Sequence, residues 1–172
     1  WDDAIPTATY FRELERVSRN QIVWGANYFV EHLQKGTKVW IVWFKGQTGL
    51  TMSDCELAYS SFNCPTRLIT INRAALARQN TIHPTEKPIE LYSWLLKNYA
   101  KRGDKILDTH LGSGAICLAA DVMGFEMTGI ELDPDYYNAA KQRLIYQQAQ
   151  PRLFDREEEI SNEVNEQSLF DL

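Results

Sequence analysis

The sequence predicts an α/β protein built on a parallel, doubly wound sheet, and three observations carry that expectation. From Pro88 onward, segments of helical period alternate with short apolar runs, in the order helix, strand, helix, strand, helix. A glycine loop, Gly112-Ser113-Gly114, falls between one such run and the helix behind it. With 172 residues, 44% of them hydrophobic and 12% aromatic, the chain is long and apolar enough to bury a core as one domain.

The elements follow from local pattern. Thr7 to Ser18 sets Tyr10, Phe11, Leu14 and Val17 at helical spacing, with Thr7 or Thr9 available as a cap. Gln21 to Trp24 and Lys38 to Phe44 are apolar runs stopped by Gly25-Ala26-Asn27 and by Lys45-Gly46-Gln47-Thr48-Gly49, which predicts two buried strands. Glu56 to Phe62 reads as a third strand, and Thr66 to Ile71 as a strand or an extended loop. A helix is expected from Pro88 to about Ala100, a turn at Arg102-Gly103-Asp104, and a strand from Lys105 to Asp108. Behind the glycine loop a helix runs from about Ala115 to Met123, where Gly124 ends it. Met127 to Glu131 then forms a strand, and Pro134 opens a last helix to about Gln148. Beyond Pro151 the chain turns polar and acidic, so residues 1–154 read as the domain and 155–172 as a flexible tail.

The formal charge of -5 is unevenly spread. From Asp155 to Leu172 there are seven acids and one base, so the first 154 residues carry +1. Residues 65–105 hold eight bases and three acids, which marks this stretch as the candidate phosphate-facing surface, although several of its lysines also fit plain solvation of a helix. Within it, residues 65–82 lack clear periodicity and read as a loop, with Arg67, Arg73 and Arg78 as candidate DNA-binding residues. No apolar run reaches the roughly 20 residues needed to span a bilayer. Cys55, Cys64 and Cys117 are odd in number, far apart and without CxxC spacing, so neither disulfides nor a zinc site is expected, and a reducing cytoplasm fits best.

The strongest chemical signal is Ile106-Leu107-Asp108-Thr109-His110-Leu111-Gly112-Ser113-Gly114, followed by an apolar helix and then Thr128-Gly129-Ile130-Glu131-Leu132. A glycine loop between strand and helix admits a ligand close to the backbone, and Glu131, 17 residues after Gly114, stands where an acid commonly binds a ribose. The third glycine of a dinucleotide fingerprint is replaced by Cys117, and Asp108 would repel a pyrophosphate, which disfavours a dehydrogenase. S-adenosylmethionine has an ammonium, a sulfonium and no phosphate, so an acid beside the loop suits it. His110 fits either a ligand-facing role or simple packing over the loop.

His83-Pro84-Thr85-Glu86-Lys87-Pro88, a helix, LDTHLGSG and then GIELDPDYY together resemble the beta-class DNA adenine-N6 and cytosine-N4 methyltransferases, whose motifs are circularly permuted in this order. The resemblance extends through WDDAIPTATYF, QIVWGANYF and SDCELAYSSF to about Phe154. It implies a Rossmann-like, S-adenosylmethionine-dependent methyltransferase fold, circularly permuted, and a double-stranded DNA substrate. It further implies that Asp108, Gly112, Ser113 and Gly114 shape the cofactor loop, with Thr109 and His110 altering its wall where the family has Pro and Phe. Glu131 binds the ribose, Leu132 beside it counts among the cofactor-binding residues, and Lys87 and Pro88 lie beside the methionine end.

The family's Asp-Pro-Pro-Tyr tetrapeptide, which grips the flipped base, is absent from these 172 residues, so no catalytic residue is assigned. Asp133-Pro134 opens a helix and is no substitute. The expectation is a sheet lacking upstream strands, supplied by further residues, a homodimer partner or another chain. Trp24, Tyr28 and Trp43 are aromatic candidates for the cleft, with core packing favoured for Trp43. Adenine is preferred over cytosine on resemblance alone. Alternatives are a catalytically silent module that binds DNA or a partner, and methylation of RNA or protein.

Overall fold

The computed structural model describes residues 5–33, 39–72 and 86–150. Helix α1 (Ala8–Val17) leads to strands β1 (Ile22–Trp24), β2 (Trp40–Phe44), β3 (Cys55–Ser60) and β4 (Arg67–Thr70). Then α2 (Ile89–Tyr99), β5 (Lys105–Asp108), α3 (Ala115–Met123), β6 (Glu126–Gly129) and α4 (Pro134–Ala149) alternate. The expected elements are present, most of them within a residue or two of their predicted bounds. Thr7 takes the N-cap position of α1, but its side chain makes no capping hydrogen bond.

Two sheets form instead of one. β5 and β6 pair in parallel, Lys105 opposite Glu126 through to Asp108 opposite Gly129, with α3 as the crossover. The other four strands lie in the order β1-β3-β2-β4. There β3 runs antiparallel to both neighbours and β4 parallel to β2, so the parallel expectation holds for β5-α3-β6 and is corrected to a mixed sheet elsewhere. The reason is the connection. Only about ten residues return the chain from β2 to β3, too few for the crossover that a parallel pair requires.

Strand β2 alternates as a half-buried strand should, with Ile41 and Trp43 turned into the core. The Trp43 indole N–H donates to the carbonyl of Ile71 at 3.0 Å, so its one polar atom is satisfied. Trp43 is therefore a core residue and does not line a cleft. Helix α2 packs on two sides. Leu91 joins Trp43 and Ile71, Leu95 joins Ile41 and Ala58, and Leu96 on the opposite flank meets Ala119 and Ala120 of α3. Each fully buried leucine contributes about 1.5–3 kcal/mol. Among the described residues no ladder joins the two sheets, and α2 packs against both halves. No described helix is long and apolar enough to cross a membrane.

Candidate functional site

The site begins where β5 stops. Gly112 (φ 53°) and Gly114 (φ 72°) both adopt the left-handed region, which lets the chain fold back from Asp108 and start α3 within six residues. A Cβ on Gly114 would lie 2.7 Å from that of Ala140, so α4 rests directly on the loop backbone.

Two acids bracket this loop. Asp108 accepts the His110 backbone N–H through Oδ1 at 2.9 Å. Burial pushes its carboxyl above the usual aspartate range, an effect only partly offset by the His110 amide and by the nearby Lys87. Glu131 was expected to close the second strand, but β6 ends at Gly129 and the acid stands two residues past it. The ladder stops because its partner β5 turns away at Asp108. Two further bonds, from Ile130 N–H to the Asp108 carbonyl at 2.8 Å and from Leu111 N–H to the Ile130 carbonyl at 2.9 Å, carry the contact onward. There Glu131 is fastened to the loop: Oε2 accepts from Gly112 N–H at 2.7 Å and Oε1 from Asp133 N–H at 3.0 Å. Each oxygen keeps acceptor capacity for a ligand hydroxyl. Leu132 beside it is 91% exposed, an apolar side chain with almost nothing over it.

Side chains from distant elements tie the loop down. The Tyr10 hydroxyl of α1 hydrogen-bonds Thr109 Oγ1 at 2.8 Å, and that oxygen lies 3.0 Å from His110 Nδ1. The Tyr10 and His110 rings meet edge to face, 5.4 Å between centroids, so His110 packs over the loop while remaining exposed. Buried Ser113 offers its carbonyl to Arg143 Nη1 of α4 at 3.1 Å, and the same nitrogen pairs with Glu86 at 2.8 Å. The neighbouring Lys87 pairs with Glu56 of β3 at 3.2 Å, and Glu56 also binds Lys45 at 3.1 Å. Burial would raise the Glu56 carboxyl, but Lys87 and Lys45 together outweigh it and hold the group below the usual glutamate range. Pro88 is buried and occupies the N-cap position of α2.

Asp108, Thr109, His110, Gly112, Ser113 and Gly114 thus lie on one loop, to which Glu131 is fastened through Gly112. Leu132 adjoins it, Lys87 lies within electrostatic reach of Asp108, and Pro88 follows Lys87 in the chain. Arg67 is exposed on β4, at the edge of the mixed sheet opposite β1, so the expected recognition loop opens with a strand. Arg73, Arg78 and His83-Pro84-Thr85 lie outside the described residues. Tyr28 is exposed, and Trp24 stands beside Lys87 with its ring centre 5.5 Å from the ammonium. Sequence reasoning missed Tyr10 and Arg143 as loop anchors. Arg143, one helical turn beyond Ala140, had a signal only in the helix periodicity. Among the described residues no cluster of three potential metal ligands occurs.

The family model for N6/N4 methylases, described as DNA methylase, matches residues 12 to 142. The chain belongs to this family. Among curated relatives, YubD of Escherichia coli (strain K12), named as a methylase, is 40% identical over 65 residues, 38% of this chain and 29% of its own length. The type II methyltransferases M2.DpnII of Streptococcus pneumoniae and M.HpaI of Haemophilus parainfluenzae are 37% and 34% identical over 62 residues each. Those matches span 36% of this chain and 23% and 20% of the two relatives. The crystal structure of the M1.HpyAVI–SAM complex superposes with a TM-score of 0.65 at 19% identity, covering 84% of each chain. The cytosine-N4-specific PvuII DNA methyltransferase gives 0.51 at 14% identity, covering 94% of this chain and 64% of its own. The chain shares their Rossmann-like methyltransferase fold.

Proposed function

We propose that this chain forms the cofactor-binding part of a DNA amino-methyltransferase acting on a base flipped out of the duplex, with the N6 amine of adenine as target by resemblance. The observation that carries the reading is the fastening of Glu131 to the glycine loop opposite Asp108. Bound S-adenosylmethionine supplies a sulfonium methyl, whose transfer to the amine leaves the C–S electron pair on sulfur and releases one proton from nitrogen. In this reading the chain's own residues bind and orient. Glu131 accepts the ribose hydroxyls, and exposed Leu132 covers one face of the adenine. Asp108 faces the ammonium, while Lys87 and Pro88 border the methionine end. Gly112, Ser113 and Gly114 allow close approach of the backbone beside the wall made by Thr109 and His110. Orientation matters because the target amine is a weak nucleophile. Arg67, with Arg73 and Arg78, contributes to a surface for DNA phosphates.

Calorimetry with S-adenosylhomocysteine tests the site. Asp108→Ala and Glu131→Ala should each lose roughly 1–3 kcal/mol of binding, as for hydrogen bonds to charged groups. No binding by the unaltered protein, or unchanged affinity in both variants, overturns the cofactor reading. Labelled methyl transfer to DNA followed by nucleoside analysis separates N6-methyladenine from N4-methylcytosine.

A further inference from the structure

Glu56 lies between two lysines, one oxygen 3.1 Å from Lys45 Nζ and the other 3.2 Å from Lys87 Nζ. The Lys45 side chain is only 6% exposed and that of Lys87 14%. Each ammonium also stands near an indole ring, Lys45 at 5.7 Å from the centre of Trp43 and Lys87 at 5.5 Å from that of Trp24. Such rings favour a cation on their faces. Lys45 follows β2 directly, with its backbone N–H bound to the Asp54 carbonyl at 2.9 Å, so its origin is fixed by the sheet. Glu56 stands opposite Trp43 in the β2–β3 register, equally fixed. Of the three, Lys87 lies outside the sheet, just ahead of α2, and its charge acts on Asp108.

The charges in this row do not cancel. A single Lys87–Glu56 pair would be neutral and would present little field to a ligand. Lys45 neutralises Glu56, so the row as a whole carries one positive charge, and Lys87 is the member whose charge is felt at Asp108. Bracing also removes freedom. A free lysine side chain has rotamer entropy to lose on binding, and a carboxylate on a strand takes up part of that loss beforehand.

We infer that Lys45 is a positioning residue: through Glu56 it leaves the charge of Lys87 uncancelled at the cofactor site, where that charge recognises the amino-acid carboxylate of the cofactor. The inference rests on the cofactor reading above. The charges acting on the Tyr92 hydroxyl of α2 are those of Asp108, Glu56 and Glu86, and burial together with these three acids pushes its pKa up, so it stays protonated. The row is thus one positive charge set among acids, and the ligand's own ammonium belongs on the acid side of it.

Two ligands separate this role from a merely structural one. S-adenosylhomocysteine has the amino-acid carboxylate, whereas 5′-methylthioadenosine has the same nucleoside and thioether without it. Both are titrated calorimetrically into the unaltered chain, Lys45→Met, and the double variant Lys45→Met with Glu56→Gln. Binding of neither ligand by the unaltered chain would end the cofactor reading itself, independently of Lys45. Given that binding, Lys45→Met should weaken S-adenosylhomocysteine about tenfold and leave methylthioadenosine within twofold. The double variant restores the net charge of the row and should recover several-fold of that loss. Equal weakening of both ligands, or no change in either, overturns the inference. If Lys45→Met does not fold, the double variant decides: a preference for S-adenosylhomocysteine near that of the unaltered chain supports the inference, and loss of the preference refutes it.

Discussion

Glu56 in the mixed sheet and Asp108 at the glycine loop are both half-buried carboxylates near strand ends, yet their surroundings treat them oppositely. Glu56 has two lysines and its carboxyl is held low. Asp108 has one backbone amide and a more distant cation, and burial drives it high. The same contrast runs through the backbone. The sheet half closes on its own core of Trp43, Ile41 and Leu91, whereas the loop half depends on glycines and on anchors sent from α1 and α4. One half is completed by the chain itself. The other keeps acceptors and a raised acid in reserve, the arrangement expected where a ligand is to supply the missing partner.

The largest expected effect comes from closing the space left at the loop. Gly114→Ala forces an L residue into the left-handed region and drives a Cβ into Ala140, so it should destabilise by about 2–4 kcal/mol. Gly49, also at positive φ but with nothing within 4 Å, is the control, and its alanine variant should lose only about 1 kcal/mol. Similar losses in urea melts would mean that α4 does not rest on the loop.

The next effect concerns the two acids, and its sign differs between them. Glu56 has a folded pKa below its unfolded value, so it stabilises above that value, roughly pH 4.3, and the contribution disappears as pH falls through the folded one. Asp108 has a folded pKa above its unfolded value, so its ionised form works against folding at neutral pH, and the penalty is relieved as pH falls through the raised value. At pH 7, Glu56→Gln should therefore lower stability by about 1–3 kcal/mol, discounted from a fully buried pair for its partial exposure. Asp108→Asn, which keeps an acceptor for the His110 amide, should raise Tm. Both differences should shrink toward pH 3. Shifts of the same sign would break the comparison between the two acids.

The smallest effect sharpens the account of the anchors. Tyr10→Phe removes the hydrogen bond to Thr109 and keeps the ring against His110, so about 0.5–1.5 kcal/mol should be lost. Faster hydrogen exchange at the amides of Thr109 and His110 should accompany it, with β2 unchanged; an unaltered loop would assign Tyr10 to packing alone.

How much of this was legible in the sequence depends on distance along the chain. The glycine loop, Asp108 and Glu131 were readable because strand, loop and helix are consecutive and their geometry is set within about 25 residues. The pairing of β3 between β1 and β2 was not, since apolar runs such as Lys38 to Phe44 reveal a buried strand without naming its neighbours. Nor were the anchors. Tyr10 meets Thr109 across 99 residues, and Arg143 meets Glu86 across 57. Their residue types fit a solvated helix face equally well, and only the closed fold distinguishes the two. The end of β6 was misread by two residues because Ile130 remains hydrogen-bonded past the last ladder pair.

The two-sided burial of α2 has a consequence for the order of folding. From α2 to α4 each element touches the next one or two in sequence, α2 with α3, β5 with β6, and α3 with both β6 and α4. Contacts of such short loop closure form early, because little chain entropy opposes them. The mixed sheet has one pairing of the same short reach, β2 with β3, whose partners run from Phe44 with Cys55 to Trp40 with Tyr59. Its longest closures are β1 against β3, from Ile22 to Ser60, and α2 against β2, from Ile41 to Leu95. Helix α2 belongs to the short-range group through Leu96 and to the long-range group through Leu91 and Leu95, so it is the template on which the sheet half is expected to condense.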